Sequence, residues 1–542
     1  MRRQVLTRAA ATPMGKRSAR GAGDPSLPFH RGLFTARSGP PCSIEEDESR
    51  LFRKGASECP LGSFFQNEFL LCQHQAPSSA TLDRVAQFDR EDRMPSQRST
   101  SSPTEGLTVA VVGGGNGGHV LAGLLAPVCK LNVLTRRPEA WSATGVKVSF
   151  DSSAPSYSSI SLDDDGRRTS SDEDDASDGE CSSIAAVERG AAATPARPAK
   201  ISSDAADVIP DADIVVVGGP VHITGTLLAR VAPFLKRGAM IGTLFGQGGF
   251  DWMARDQLAA AGKGDVTVFA LQNIPWICRI AEYGAHVRVL GVKKVLNAAV
   301  HRVAPIEKGD VQRAPATAQA IARIRDIFFI DVRLVPFLAI TLTPSNQILH
   351  PARYHALFAQ GKKVRTYGVK EFKQAGGDKM YETFCQQSAD NLADLDSELQ
   401  AIKHAIARLR PDVNLDTVVP FAERVATQYG PQVTDTSTVR STVSTNRGYA
   451  GIDTPVKVDD GRVEPDRASR IFHDDIPFGL CVLKDLGQLM DVETPTCDRI
   501  ITWAQDVMGT KFLDEASGRL KEETLHMTGA PARFGIRTAA DL

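Results

Sequence analysis

Apolar residues in the first half of the chain fall into short, β-branched runs that end in glycine or polar residues. The runs at 108–112 and 213–217 have the composition of strands buried on both faces of a parallel sheet. Helix-forming stretches at 120–125 and 224–235 follow these two runs after short connections. This alternation of strand and helix predicts an α/β fold with a doubly wound parallel sheet. The predicted strands are 108–112, 131–135, 145–150, 213–217, 239–244 and 266–271.

The last third of the chain has a different pattern, because its apolar residues recur at helical spacing. Strand-like runs fade beyond Pro336, and a mainly α-helical domain is expected there. We therefore predict a sheet domain at 106–338 and a helical domain at 339–542. The predicted helices of the second domain are 380–409, 415–428, 479–490 and 494–508.

Two polar segments stand outside these patterns. Residues 1–105 begin with an Arg-rich, acid-poor stretch, which predicts a disordered leader, with an organellar transit peptide as the alternative. Residues 151–207 are Ser-rich and contain the acidic run 172–175, which predicts a disordered insertion in the sheet domain. Serines beside acidic residues are typical substrates of acid-directed kinases. The insertion is therefore either a solvated segment without a function of its own or, as the alternative, a regulatory segment.

Composition and charge narrow the class of protein. A length of 542 residues with 42% hydrophobic and 23% charged residues predicts a globular chain of at least two folded units. A formal net charge of −1 favours neither nucleic acid nor an anionic membrane as a partner. No apolar run approaches the ~20 residues that span a bilayer. The nine cysteines include no CxxC pair, so we expect reduced thiols, a cytoplasmic protein and no metal site.

A glycine-rich turn follows the first predicted strand. It contains G-x-G-x-x-G as Gly113, Gly115 and Gly118. The first glycine permits a tight turn, the second allows the backbone to approach a pyrophosphate, and the third allows the helix to pack on the strand. The helix N-terminus then offers N–H groups to the phosphates. Because a strand precedes the motif and a helix follows it, we predict a dinucleotide-binding Rossmann-type domain.

The end of the second predicted strand bears on the choice of cofactor. NAD enzymes usually place an acid there for the ribose hydroxyls, whereas this chain has Thr135, Arg136 and Arg137. Two guanidiniums attract a 2′-phosphate, which favours NADP(H) over NAD(H). The alternative interpretation is that both arginines lie in solvent at the end of the strand and bind no cofactor. The passage that ends at Pro220 is expected beside the nicotinamide half of the cofactor, and His222 is interpreted as a loop or core histidine.

The segment 346–351 reads N-Q-I-L-H-P, and Asn346 and His350 share one face if it is helical. At this point the chain resembles the octopine/nopaline (opine) dehydrogenase family over roughly 107–513, without the acidic insertion. The motifs that carry the resemblance occur in the family's order. They are G-G-G-N-G-G-H at 113–119, Q-N-I-P-W-I-C-R at 272–279, G-V-K at 291–293, N-x-x-x-H-P at 346–351, Tyr381 before a helix with D-S-E at 396–398, and R-x-x-x-x-D-x-P at 470–477.

The resemblance implies an NAD(P)H-dependent reductive condensation of an amino acid with an α-keto acid. In this reaction an imine forms with loss of water and is then reduced by hydride. The matching positions make His350 the catalytic acid–base and Asp475 its carboxylate partner, with Asp474 as the weaker candidate. Arg470 matches the residue that holds the keto-acid carboxylate.

The resemblance also implies roles for residues beside His350, Asp475 and Arg470. Asn346 is expected to support the substrate pocket or the nicotinamide. Tyr381 is expected in the substrate pocket, and Asn116 is expected to join the glycines at the cofactor. The leader, the acidic insertion and the arginines at 136–137 depart from the family's pattern.

Two other functions stay open at this stage. One is an NAD(P)-dependent reductase of a simple 2-keto or 3-hydroxy acid, which predicts turnover without an amino acid. The other is a non-catalytic NADP-binding sensor or scaffold. In each case the partners are small molecules and the protein acts as a monomer or homodimer, with a cleft that closes on substrate after cofactor binding.

Overall fold

A computed structural model of the protein describes residues 106–150, 195–293, 295–302, 314–361 and 363–542. The predicted leader at 1–105 and most of the predicted acidic insertion, up to residue 194, lie outside the described residues. Among the helices of the described residues, none is both long enough and apolar enough to cross a membrane.

The first part of the described chain contains eleven strands, which form two sheets. They are β1 (Thr108–Val112), β2 (Lys130–Leu134), β3 (Lys147–Phe150), β4 (Lys200–Ser202), β5 (Ile214–Val217), β6 (Met240–Thr243), β7 (Thr267–Leu271), β8 (Trp276–Glu282), β9 (His286–Val292), β10 (Val295–Arg302) and β11 (Asp331–Leu334).

The main sheet has eight strands in the order β11-β10-β7-β6-β5-β1-β2-β4. The strands from β7 to β4 all pair in parallel, as the alternating pattern predicts. The strand β10 reverses direction against β7, and β11 pairs with β10 in parallel. The second sheet has the order β3-β9-β8.

The position beside β2 corrects two predictions. The strand at 145–150 was expected in the main sheet, but β3 pairs with β9 instead. The place beside β2 is taken by β4, which lies inside the segment 151–207 predicted to be disordered. A short helix at 205–208 follows β4, and Val208 is fully buried there. The predicted insertion extends too far along the chain because β4 has only three residues, which are too few to give a strand pattern in the sequence.

The helices flanking the sheet precede a mainly helical region, as predicted. The long helix predicted at 380–409 begins only at Gln386, and the one predicted at 415–428 begins at Phe421, after Pro420. A proline disfavours helical backbone at the residue before it, which explains the second delay. The helices are α1 (Asn116–Leu125), α2 (Ala205–Val208), α3 (Val221–Val231), α4 (Phe250–Ala260), α5 (Ala314–Phe328), α6 (Phe337–Thr341), α7 (Asn346–Phe358), α8 (Val369–Gln374), α9 (Gln386–Leu409), α10 (Phe421–Tyr429), α11 (Val439–Ser444), α12 (Cys481–Leu489) and α13 (Pro495–Met508).

Three further features complete the helical region. A π-helix, Ile471–Leu480, leads directly into α12. The region also contains the short strands β12 (Ala359–Gln360), β13 (Lys363–Val364), β14 (Tyr367–Gly368), β15 (Val456–Asp459) and β16 (Arg462–Pro465). They form two small antiparallel sheets with the orders β12-β13 and β14-β16-β15.

The two faces of the main sheet bury separate hydrophobic cores. In β1 the side chains alternate, so Val109 and Val111 join one core while Ala110 and Val112 join the other. The core that contains Val112 continues without interruption into the helical region, where it includes Leu349 of α7 and Phe472 of the π-helix. This shared core fixes the helical region against one face of the sheet, beside the ends of the parallel strands.

Candidate active site

The glycine-rich turn has the geometry that a dinucleotide requires. Gly113 has φ +112°, which favours glycine, and a Cβ there would lie 2.1 Å from the Gly218 carbonyl oxygen. A Cβ on Gly118 would lie 2.2 Å from the Gly113 oxygen, so α1 packs tightly on the turn. A Cβ on Gly115 would meet nothing within 4 Å. The open side of the turn is therefore at Gly115, beside the N-terminus of α1, where a pyrophosphate fits.

Two side chains of α1 hold the β8–β9 hairpin against this turn. The Asn116 Oδ1 accepts a hydrogen bond from the Ile280 N–H at 3.0 Å. The His119 Nε2 accepts one from the Gly284 N–H at 2.7 Å, so its proton is on Nδ1, which donates to the Gly115 oxygen at 3.0 Å. Burial lowers the pKa of His119, which favours this neutral form. Asn116, predicted at the cofactor, thus shapes the turn through the hairpin.

The end of β2 offers positive charge to the adenosine half of a cofactor. Thr135 is buried, whereas Arg136 and Arg137 are exposed. Neither guanidinium forms an ion pair with a carboxylate of the described residues. Residues that could hold a nicotinamide dinucleotide are therefore present at the turn and at the end of β2.

The passage after β5 connects the sheet to the π-helix. Pro220 is the N-cap of α3, two residues before His222. The His222 backbone N–H and Nδ1 both contact Asp474 Oδ1, at 3.0 and 2.7 Å. His222 is thus neither a loop nor a core histidine, because it is an exposed residue of the helix α3. Its contact with Asp474 joins α3 to the π-helix.

His350 stands at the centre of the second group of predicted residues. Its Nδ1 lies 2.8 Å from Asp475 Oδ2, and its Nε2 lies 2.7 Å from the Tyr381 hydroxyl oxygen. The Tyr381 ring in turn packs on Tyr449, with centroids 4.6 Å apart. The structure therefore brings together a histidine, a carboxylate and a phenol from three separate parts of the helical region.

Electrostatics assign the protons in this group. Burial raises the pKa of Asp475, while the adjacent His350 opposes that shift and favours the carboxylate. Burial also raises the pKa of Tyr381, so its hydroxyl keeps its proton. With a carboxylate on one side and an O–H donor on the other, neutral His350 carries its proton on Nδ1. Its Nε2 lone pair is then available as a base.

The π-helix directs two adjacent carboxylates to different partners. Asp475 contacts His350, whereas the Asp474 Oδ2 accepts a hydrogen bond from the Arg470 Nε at 2.7 Å. The Arg470 side chain is 67% exposed and the Asp474 side chain 3%. Among the described residues, only the Nε of Arg470 has a hydrogen-bond partner, so its two Nη groups are left for another partner. The i, i+4 spacing of Arg470 and Asp474 is a sequence signal that could have indicated this pair.

The N-terminus of α7 is held by a buried network that sequence reasoning missed. The Gln247 Nε2 donates to the Gln272 and Thr343 carbonyl oxygens at 3.1 and 2.9 Å. Its Oε1 accepts from the Ser345 N–H at 3.2 Å. Asn346, the exposed first residue of α7, lies one turn before His350 and forms no hydrogen bond with the described residues. Nothing in the local pattern marks Gln247, because its three partners lie 25 to 98 residues away.

A dinucleotide turn on a Rossmann-type sheet, with a histidine–carboxylate pair on a helical region packed against it, defines an NAD(P)-dependent dehydrogenase. A family model described as NAD/NADP octopine/nopaline dehydrogenase, alpha-helical domain, matches residues 334–508. An uncharacterized protein of Sinorhizobium fredii is 32% identical over 331 residues, which cover 60% of this chain and 83% of that protein. The opine dehydrogenase of Haliotis discus hannai is 28% identical over 444 residues, covering 80% and 98%.

A solved structure agrees with these sequence matches. Octopine dehydrogenase with NADH and L-arginine superposes with a TM-score of 0.61 at 26% identity, covering 80% of this chain and 97% of that one. The chain belongs to the octopine/nopaline (opine) dehydrogenase family, and the resemblance inferred from its motifs is confirmed.

Proposed function

We propose that this dehydrogenase condenses an amino acid with an α-keto acid and reduces the product with NADPH. The observation that carries this proposal is the placement of His350 between Asp475 and Tyr381. Imine formation needs a base for the ammonium proton and an acid for the departing oxygen, and one imidazole with a fixed carboxylate partner can perform both steps. The name of the Haliotis relative agrees with this reaction class.

The chain's own residues account for the proton transfers. The Tyr381 hydroxyl yields Nε2 of His350 to the substrate, and Nε2 takes a proton from the ammonium of the amino acid. The free amine adds to the carbonyl carbon of the keto acid. One proton passes from the adding nitrogen to the carbinolamine oxygen, and the imidazolium, stabilised by Asp475, delivers the second, so this oxygen leaves as water and a protonated imine remains. A bound nicotinamide would supply the hydride that reduces this imine.

Arg470 is assigned to the carboxylate of the keto acid. Its Nε is held by Asp474, which leaves both Nη groups for a bidentate pair. Burial raises the pKa of Asp475, and the positive charge of Arg470 opposes that shift in part, so Arg470 lies within electrostatic reach of the catalytic pair. Asn346, which is exposed one turn before His350, is assigned to the same pocket.

NADPH is proposed over NADH because Arg136 and Arg137 are exposed at the end of β2, where a 2′-phosphate is expected. Gly113, Gly115 and Gly118 are assigned to the pyrophosphate turn, which Asn116 supports, and Pro220 to the nicotinamide side. We place the reaction in the cytoplasm. The five cysteines of the described residues are free thiols, which supports a reducing compartment.

The test is NADPH oxidation by the purified protein with pyruvate and a panel of amino acids, compared with mixtures that lack each component. We expect turnover only when both substrates are present, and its loss in His350→Gln with cofactor binding retained. Turnover with the keto acid alone would replace the proposal with a simple keto-acid reductase. Tight cofactor binding without turnover across broad panels would indicate a sensor.

A further inference from the structure

Tyr283 reaches the glycine-rich turn and the end of β2 from a distant part of the chain. It lies in the turn between β8 and β9 and is half-buried. Its hydroxyl oxygen lies 3.3 Å from Thr135 Oγ1. A Cβ on Gly114 would lie 2.4 Å from the same oxygen, so the hydroxyl rests against the backbone of the turn. Tyr283 thus stands between the two segments expected to hold the adenosine half of the cofactor.

Of the two hydroxyl protons of Tyr283 and Thr135, one forms no hydrogen bond with the described residues. Thr135 Oγ1 accepts a hydrogen bond from the Arg137 N–H at 3.4 Å. Of the two O–H groups, one donates to the other across the 3.3 Å contact. Whichever of them donates, the second O–H has no acceptor among the described residues. Such a donor beside exposed guanidiniums suits an anion, which accepts hydrogen bonds through each of its oxygens.

The ring of Tyr283 also holds a guanidinium in place. The Arg137 Cζ lies 3.9 Å from the ring centroid, within the range of a cation–π contact. The ring itself packs edge-on against His119, with centroids 5.0 Å apart, and His119 is fixed by its two backbone hydrogen bonds. Arg137 is therefore positioned by the ring of Tyr283, which itself packs against His119 at the turn.

We propose that Tyr283 is a specificity-determining residue that forms one wall of the 2′-phosphate site of NADPH. In this site the Thr135 hydroxyl donates to the Tyr283 oxygen, the Tyr283 O–H donates a hydrogen bond to the phosphate, and the ring orients the Arg137 guanidinium toward it. This inference rests on the proposed preference for NADPH. NADH carries a neutral 2′-hydroxyl in place of that phosphate, so its binding should depend little on Tyr283.

The test compares the Kd values of NADPH and NADH, measured by nicotinamide fluorescence, for the wild type, Tyr283→Phe and Tyr283→Leu. The phenylalanine variant keeps the ring and loses the hydroxyl, so we expect the preference for NADPH to fall about fivefold to tenfold. The leucine variant also loses the cation–π contact and should lose more. The Kd of NADH should change less than about twofold in the phenylalanine variant, because a neutral ribose gains little from this donor. Tyr367→Phe is the matched control, since it removes a tyrosine hydroxyl that donates to the Leu357 oxygen in the helical region.

The outcomes separate this inference from the proposed function. A wild type that binds both cofactors equally would remove the NADPH preference itself. A wild type that prefers NADPH, with both Tyr283 variants retaining the full preference, would overturn the role of Tyr283 alone. An equal loss of NADH and NADPH affinity in the leucine variant, with no change in the phenylalanine variant, would make Tyr283 a support for the hairpin and also overturn it. Competition by adenosine 2′,5′-bisphosphate should follow NADPH in each variant.

Discussion

The backbone of Gly479 lies against Gln347 so closely that a Cβ on Gly479 would be 2.3 Å from the Gln347 Cβ. Gly479 belongs to the π-helix that carries Asp475, and Gln347 belongs to α7, which carries His350. The missing side chain therefore sets the distance between the two helices that carry His350 and Asp475. The 2.8 Å contact of His350 with Asp475 depends on this approach.

We predict that Gly479→Ala separates these helices and weakens the pair. Overpacking of this kind costs about 1–3 kcal/mol of unfolding free energy, and a shift of about 1 Å at the reacting groups can lower kcat on the order of 100-fold. Turnover and thermal unfolding measure the two effects. Gly368→Ala is the control, because a Cβ there meets nothing within 4 Å. Wild-type turnover in the Gly479 variant would contradict the argument.

Asp474 and Asp475 should give different kinetic defects. Asp475→Asn removes the carboxylate that stabilises imidazolium, so we expect kcat to fall about 10²–10⁴-fold with little change in the KM of the keto acid. Asp474→Asn releases the Nε of Arg470, so the KM of the keto acid should rise with a smaller change in kcat. Steady-state kinetics with varied keto acid distinguish the two. The same defect in both variants would show that the carboxylates act as one unit.

Gly115 and Gly118 should also respond differently to alanine. A Cβ on Gly118 collides with the Gly113 oxygen, so Gly118→Ala should destabilise the turn itself. A Cβ on Gly115 points into open space, so Gly115→Ala should keep the stability of the wild type. Its affinity for both NADH and NADPH should fall about tenfold or more, because the methyl group occupies the path of the pyrophosphate. Fluorescence titration and thermal unfolding test this pair, and unchanged affinity in Gly115→Ala would place the pyrophosphate elsewhere.

Stability should decrease in mild acid because of His355. Burial, with the nearby charge of Arg499, lowers the pKa of His355 to about 4, whereas an unfolded histidine titrates near 6.5. The unfolded chain therefore binds more protons between these values. The stability is complete above pH 6.5 and is lost as the pH falls toward 4. The expected loss from this residue is about 1–2 kcal/mol after allowance for its partial exposure.

His301 adds to the same acid sensitivity, since burial and Arg255 lower its pKa to about 4 as well. Urea unfolding at several pH values between 4 and 7 measures the slope. In His355→Gln the decrease over this range should be smaller than in the wild type, with the contribution of His301 retained. Parallel curves for the two proteins would exclude His355 as a source.

Local patterns in the sequence were sufficient for much of the fold. The β-branched run of β1, the glycines of the turn and the helical spacing of α13 each act through their nearest neighbours in the chain, so they can be read without tertiary structure. The motif around His350 and the segment from Arg470 to Asp475 carried the resemblance to opine dehydrogenases, and that resemblance implied the reaction class before any contact was known. The arginines after β2 indicated positive charge at the adenosine end in the same way.

Tertiary structure decided the strand pairings and side-chain contacts whose partners lie far apart in the chain. The place beside β2 went to β4 because three residues can complete a sheet edge without forming a pattern that sequence reveals. Asp474 and Asp475 look equivalent in sequence, and only the turn of the π-helix sends one to Arg470 and His222 and the other to His350. Tyr283 reaches Thr135 across 148 positions. The sequence by itself determined the class of fold and, through the resemblance that its motifs carry, the family, because strands, turns and motifs are local. Only folding determined which side chains share a hydrogen bond, because that depends on packing between segments distant in the chain.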